Sequence, residues 1–338
     1  MKIRLKPLRE QVVVITGGTS GIGLATAKRA AGRGARVVLC SRNEPGLRET
    51  VAQIEETGGT ARGVVADVSK PEDVERLAAS AVEEFGGVNT WVNNAGVSFY
   101  GRLMEVALED MRQLFEVNFW GMVHGARAAV PRLRATGGAL INIGSIVSDR
   151  AIPLQGAYSA SKHAVKGFTD SLRMELEAEG APVSVTLIKP SAIDTPYFKH
   201  AKNYMDVEPK PPAPVYAPEV VANAILRAAE HPVRDITIGG GGRFLSAMGT
   251  ALPRLTDLYM ERAMFSSQRS DVPSEGRLGN LYQASGQENL ENGGYRGHVM
   301  RSSMYTQAAL SPAKAMLAAG LGLALLAGIK SVSSSRSD

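Results

Sequence analysis

Thr16-Gly17-Gly18-Thr19-Ser20-Gly21-Ile22-Gly23 follows the apolar run Val12-Val13-Val14-Ile15 and opens a segment of helical spacing over residues 21–31. Glycines at such a junction let the backbone turn sharply and come close to a ligand. The free N–H groups and the dipole of a helix start favour a phosphate there. A strand, a glycine loop and a helix in that order predict a nucleotide site built from Thr16, Gly17, Thr19, Ser20, Gly21, Ile22 and Gly23. The spacing Gly17, Gly21, Gly23 differs from the Gly-x-Gly-x-x-Gly of many dinucleotide loops.

Outward from that loop, short apolar runs alternate with longer amphipathic segments. Residues 12–15, 35–40, 61–66, 88–92, 139–143, 183–188 and 235–238 read as strands. Residues 21–31, 71–85, 108–133, 157–179 and 218–230 carry helical spacing. Strand and helix alternating this regularly imply parallel pairing, because each crossover returns the chain to the same end of the sheet. Runs of Val, Ile and Leu without polar alternation fit strands covered on both faces. The expected fold class is α/β, a doubly wound, Rossmann-like parallel sheet with a mostly helical or irregular C-terminal extension.

Residues 199–217 hold Pro209, Pro211, Pro212 and Pro214, and Pro218 follows directly. Such a stretch cannot be a regular helix or a central strand, and it is expected to form a lid over the C-terminal ends of the strands. Gly239-Gly240-Gly241-Gly242 reads as a breaker, followed by an amphipathic stretch over residues 244–265 and a polar, aperiodic one over 266–303. The expected division is a cofactor-binding and catalytic domain over residues 8–240, an extension over 241–304, and a tail over 305–338.

With 338 residues, 44% hydrophobic and 21% charged, the chain has material for a full core. The net charge of +5 is spread without a long basic run, so no nucleic-acid partner is expected. Cys40 is the one cysteine, which rules out an intramolecular disulfide and fits a reducing, cytoplasmic compartment. The basic start of the chain lacks an apolar stretch behind it, so no secretory leader is expected. No metal site is expected either.

At the end of the second run, where an acid would accept from the ribose hydroxyls of NAD, stand Ser41 and Arg42. A guanidinium there can pair with a 2′-phosphate, and the preferred cofactor is therefore NADP(H).

Tyr158 and Lys162 lie four apart at the start of a helical stretch, on one face. An ammonium beside a phenol favours the phenolate, and a phenol so tuned can pass a proton to or from a reacting oxygen. Ser145 closes the fifth strand thirteen residues before Tyr158, where its hydroxyl can donate to a carbonyl oxygen as charge develops. Asn118 falls inside a helical stretch that a bare asparagine disfavours. Asn94, Ala95 and Gly96 follow the fourth strand on its cofactor side.

Over residues 8–240 this set, in this order, resembles the short-chain dehydrogenase/reductase family. The resemblance implies a catalytic set of Asn118, Ser145, Tyr158 and Lys162. It also implies that Asp67 and Val68 lie near the adenine, that Asn93 and Asn94 support the fourth strand, and that Lys162 holds the nicotinamide ribose. Asn118 would anchor a water continuing the proton relay. Pro190, Ile193 and Thr195 would lie on the cofactor side, with Thr195 on the carboxamide. One departure is Pro190-Ser191-Ala192, where the family usually has Pro-Gly; a position requiring positive φ would suit serine poorly.

The implied activity interconverts a carbonyl and an alcohol on a small molecule. Val97, Phe99, Ile146, Val147, Pro153, Leu154, Ile193, Tyr197 and Phe198 are expected on the substrate side, which points to a lipophilic substrate. The alternative is a non-catalytic NADPH-binding protein that recruits a membrane or partners. Residues 315–329, from Ala315 at one end to Ile329 at the other, carry no polar side chain. Membrane contact through this run is expected, and docking on protein is the rival reading. A homo-oligomer is also expected.

Overall fold

The computed structural model describes residues 3–276, 279–284 and 289–310. Seven strands form the central sheet: β1 (Val12–Thr16), β2 (Arg36–Ser41), β3 (Thr60–Val65), β4 (Thr90–Asn93), β5 (Gly138–Ile143), β6 (Val183–Pro190) and β7 (Asp235–Ile238). Their order is β7-β6-β5-β4-β1-β2-β3 and every pairing is parallel. The chain starts in the middle, winds outward through β2 and β3, then crosses back to β4. Connections from β1 and β4 therefore leave in opposite directions, and a crevice opens beyond their C-terminal ends.

All five residues of β1 are buried, as a strand covered on both faces requires. Val13 and Ile15 face one apolar layer with Ala27, Ala30 and Ile225, while Val12 and Val14 face the other with Leu77, Ala81 and Leu133. The covering helices are α1 (Gly21–Ala31), α2 (Glu44–Glu56), α3 (Pro71–Phe85), α4 (Leu108–Phe115), α5 (Gly121–Thr136), α6 (Gly156–Ala178), the single turn α7 (Tyr197–His200) and α8 (Pro218–Glu230).

Helix α2 is absent from the sequence reading. Its apolar face is thin, with only Leu47, Thr50 and Ile54 buried beside Gly46, and its start is marked by Asn43, whose side chain accepts from the Gly46 N–H. The long helix expected over 108–133 is interrupted by a π-turn, Glu116–Trp120, which carries the buried Asn118. Such turns insert one residue into the helical ladder and cluster at functional positions.

Beyond β7 only Gly239 breaks the chain, at φ 96°. The next three glycines do not continue the break, because they open α9 (Gly240–Ala251). A Cβ on Gly242 would stand 2.6 Å from Ile146, so the missing side chain lets α9 sit directly on the turn after β5. Leu252 and Pro253 divide the amphipathic stretch, and α10 (Pro253–Ser267) follows.

The polar stretch that looked aperiodic returns repeatedly to the sheet domain. Arg269–Pro273 pairs antiparallel with Val207–Pro209, and Val299–Met300 joins Val215–Tyr216, which itself pairs with Ala192–Ile193. Helix α11 (Met304–Leu310) places Thr306 against β7, accepting from the Gly239 N–H and donating to the Thr237 carbonyl. Among the described residues no helix is long and apolar enough to cross a membrane. The run over 315–329, read as a membrane contact, lies outside the described residues.

Candidate active site and cofactor cleft

The glycine loop is held in place from β4. Asn94 Nδ2 donates to the carbonyls of Thr16 and Gly17 at 2.9 and 3.0 Å, and Thr16 Oγ1 accepts from the Asn94 and Ala95 N–H groups. Gly17 has φ 66°, and a Cβ there would lie 2.9 Å from the Ala95 backbone. A Cβ on Gly23 would lie 2.0 Å from the Gly17 carbonyl oxygen, so only glycine lets helix α1 start this close to the loop. Thr16 and Gly23 thus shape the loop from behind. Gly17, Thr19, Ser20, Gly21 and Ile22 line the cleft itself.

Along the cleft lie Ser41 and Arg42 from the end of β2, Asp67 and Val68 after β3, and Asn94, Ala95 and Gly96 after β4. Asp67 Oδ1 accepts from the Ser69 N–H and hydroxyl, which fixes the turn leading into α3. Pro190, Ile193 and Thr195 face it from the other wall. Ser191 is not among the described residues with positive φ, so serine meets no backbone strain where the family usually has glycine.

Ser145, Tyr158 and Lys162 line the far half of the same cleft. Ser145 caps the short turn Ile146–Ser148: its Oγ accepts from the Val147 N–H at 3.3 Å, and its own N–H donates to Ser148 Oγ. Tyr158 and Lys162 project from the first turns of α6, and Lys162 Nζ lies 5.7 Å from the Tyr158 ring centre. Lys162 Nζ donates to the Ile143 carbonyl at 2.8 Å. Asn118 stands behind this group. Its Oδ1 accepts from the Val97 N–H at 2.8 Å, and its Nδ2 donates to the Val97 carbonyl and to Ser161 Oγ.

Burial dominates the electrostatics. It pushes the Tyr158 phenol above its ordinary value of 10.0, although hydrogen bonding with Tyr197 and Ser145 pulls the other way. Burial also lowers the Lys162 ammonium from 10.5 to about 8. The sequence reading had the ammonium bring the phenol down. Lys162 is not among the influences on the phenol; desolvation is the largest of them, and it favours the protonated form that can donate.

Sequence reasoning found Val97, Ile146, Val147, Ile193, Tyr197 and Phe198 on the cleft wall, but Phe99, Pro153 and Leu154 are not part of it. Phe99 turns into the core, edge-on to Tyr204 with ring centres 6.2 Å apart, and its neighbour Tyr100 takes the cleft position. His200 and Pro212 also line the cleft, which puts the proline-rich excursion where a cover would sit.

Residues 279–284 and 289–291 were not recognised as part of the site. Arg42 donates to the carbonyls of Asn280 at 2.5 Å, Tyr282 at 3.2 Å and Gln283 at 3.4 Å. The Gly21 N–H, at the start of α1, donates to the Leu290 carbonyl at 2.9 Å, and the Asn289 N–H donates to the Thr19 carbonyl. Glu291 pairs with Lys28 and Arg29. The segment is anchored by Leu281, fully buried, and by Tyr282, whose hydroxyl donates to Asp110 at 2.8 Å. Asp110 is also bound by Lys202 and Tyr204. These contacts form a strap along the Arg42 end of the cleft, with Asn280 in its lining.

The residue types of the lining that remains suit a dinucleotide. The cleft runs unbroken from Arg42 and Asp67, past the helix start at Ile22, to Tyr158 and Thr195. Ser20, the residue before α1, makes no side-chain cap, and the first turn carries no acid to repel a pyrophosphate.

The comparisons agree with this geometry. The short chain dehydrogenase family profile matches residues 11–205. The uncharacterized oxidoreductase YxnA of Bacillus subtilis is 48% identical over 324 residues, covering 95% of this chain and 91% of that protein. An alcohol dehydrogenase from the archaeon Thermococcus sibiricus, solved with 5-hydroxy-NADP, superposes with a TM-score of 0.60 at 28% identity, over 68% of this chain and 95% of its own. A short chain dehydrogenase/reductase from Burkholderia phymatum, solved with NAD, gives a TM-score of 0.63 at 26% identity, over 81% of this chain and 99% of its own. A parallel sheet wound about this glycine loop, matched across more than half its length, places the chain in the short-chain dehydrogenase/reductase family of NAD(P)-dependent oxidoreductases.

Proposed function

We propose that the protein is an NADP(H)-dependent oxidoreductase interconverting a carbonyl and an alcohol on a lipophilic small molecule. The observation that carries this reading is the convergence of Ser145, Tyr158 and Lys162 on the cleft that the glycine loop opens. A bound nicotinamide dinucleotide supplies or accepts the hydride. Ser145 Oγ donates to the substrate oxygen as charge grows on it, and Tyr158 delivers its proton to that oxygen. Lys162 favours the phenolate left behind, and oxidation of an alcohol uses the same groups in reverse. Asn118, with both ends of its amide engaged by Val97 and Ser161, acts as a positioning residue behind Lys162.

Preference for the 2′-phosphorylated cofactor is supported by Arg42 at the cleft and by the missing acid after β2. Such a phosphate would have to share or take over a guanidinium now held by three strap carbonyls. A lipophilic substrate is supported by Ile146, Val147, Phe198 and Pro212 in the wall. Assembly into a homo-oligomer and membrane contact through residues 315–329 complete the reading, the second supported by the uninterrupted apolar sequence alone. Oxidation of NADPH followed at saturating cofactor against a panel of ketones tests the proposal, with Tyr158→Phe as the control. Turnover that survives in that variant, or none with any ketone or alcohol, overturns it.

A further inference from the structure

Two-residue strands fix the direction of their side chains as firmly as long ones, because successive Cβ atoms point to opposite faces. Phe99–Tyr100 pairs with Lys202–Asn203, so Phe99 enters the core and Tyr100 the cleft. The Tyr100 ring is wholly buried, packed with Leu154, Ala201 and Met205, and its centre lies 6.2 Å from that of Phe198. Its hydroxyl is buried and has no hydrogen-bond partner among the described residues.

A buried phenol without a partner is unfavourable, and the fold gains nothing from the oxygen that phenylalanine would not supply. The neighbouring Ser98 hydroxyl donates to the Phe99 carbonyl and does not serve it. The cost falls away once a ligand brings an acceptor to that point, since the bond then forms in a site already cleared of water. Desolvation, followed by the nearness of Tyr158, holds the Tyr100 phenol well above its ordinary value, so it stays a neutral donor. The reacting oxygen is already served by Ser145 and Tyr158. Tyr100 therefore meets a different atom of the substrate.

We propose that Tyr100 is a specificity-determining residue, whose hydroxyl binds a second oxygen function on a lipophilic substrate, away from the carbonyl or alcohol that reacts. The inference rests on the oxidoreductase reading and deepens it. The substrate class becomes diketones, hydroxyketones and related molecules with two separated oxygen functions on a hydrocarbon frame.

The test uses the full-length protein with saturating NADPH, and compares 2-decanone with 2,5-, 2,7- and 2,9-decanedione, which carry the second carbonyl at increasing distances. At least one dione is expected to show a kcat/KM roughly tenfold or more above that of 2-decanone, since a buried donor left unpaired discriminates by about that factor or more. In Tyr100→Phe that ratio should fall toward one, while the thermal midpoint of the substrate-free protein stays level or rises. A merely structural hydroxyl would lower turnover of diones and monoketone alike, leave the ratio unchanged and lower the midpoint; either result overturns the proposal. So does a wild-type enzyme that prefers none of the diones while still reducing 2-decanone. Failure of the oxidoreductase reading itself is separate, and shows as no turnover with any of the four ketones.

Discussion

The guanidinium of Arg42 donates to the carbonyl of Asn280, 238 positions further along the chain, at 2.5 Å. The cation best placed to select a 2′-phosphate is thereby also the anchor of the C-terminal strap. On the proposed reading, cofactor choice and strap position draw on the same donors, while Tyr282 on Asp110 and Leu290 on Gly21 also hold the strap.

NADPH should loosen residues 279–284, because a 2′-phosphate competes with their carbonyls for one guanidinium. NADH lacks the phosphate and should leave them in place. Backbone amide exchange of this segment, compared under saturating amounts of each cofactor, is the measurement. Equal protection under both contradicts the shared role of Arg42.

Arg42→Asp should weaken NADPH binding by roughly ten- to a hundredfold, the scale of a lost hydrogen bond to a charged group. The NADPH-to-NADH affinity ratio should move toward NADH, as an anion now faces the phosphate. Titration with both cofactors reads this directly, and an unchanged ratio removes Arg42 from cofactor selection.

Tyr158→Phe removes only the oxygen that carries the proton. Turnover should fall by roughly 10²–10⁴-fold with NADPH affinity nearly intact. Loss of cofactor binding to a similar extent would mean that the hydroxyl holds the cofactor and is not chiefly a proton carrier.

Lys162 sets a pH dependence. With its value lowered to about 8 by burial, the ammonium that supports Tyr158 is present below pH 8 and lost as pH rises through it. The kcat/KM for ketone reduction should decline above that point, and a flat profile from pH 7 to 9 contradicts the assignment. Stability runs the other way. The buried charge is a cost present in full below about pH 8, and it fades as pH rises toward the ordinary value of 10.5. Lys162→Met should therefore gain stability relative to the parent at pH 7 and lose that advantage by pH 10, as denaturant midpoints would show.

A chain ending after Leu310 should fold and bind NADPH, because α11 and Thr306 remain against β7. Ending it after Met304 deletes both hydrogen bonds of the Thr306 hydroxyl and should lower the thermal midpoint by several degrees. The full chain should partition into vesicles or detergent where the shorter one does not, since residues 315–329 offer no polar side chain to water. Equal partitioning of the two would assign that run to a protein contact.

Sequence alone determined what short-range pattern can carry. The seven strands, the glycine loop, the one-face pair of Tyr158 and Lys162 and the end-of-strand position of Ser145 all follow from period and spacing. Those features lie within one or two turns of chain, where backbone geometry leaves few choices. Helix α2 escaped because three apolar positions beside Pro45 and Gly46 make a weak period. The π-turn escaped as well: Asn118 stood out as a residue that disfavours a helix, but no side chain in residues 116–120 specifies a π-turn over an α-turn.

Only the tertiary structure decided which side of Phe99–Tyr100 meets the cleft, since alternation gives opposite faces without saying which is which. It alone decided that desolvation is the largest influence on Tyr158, because burial is the sum of every element packed around the phenol. And it alone placed residues 279–284 and 289–291 beside the cleft. On the strap's side its contacts with Arg42, Gly21 and Thr19 are made by backbone carbonyls and N–H groups, which every residue possesses, so they leave no signature in the order of side chains.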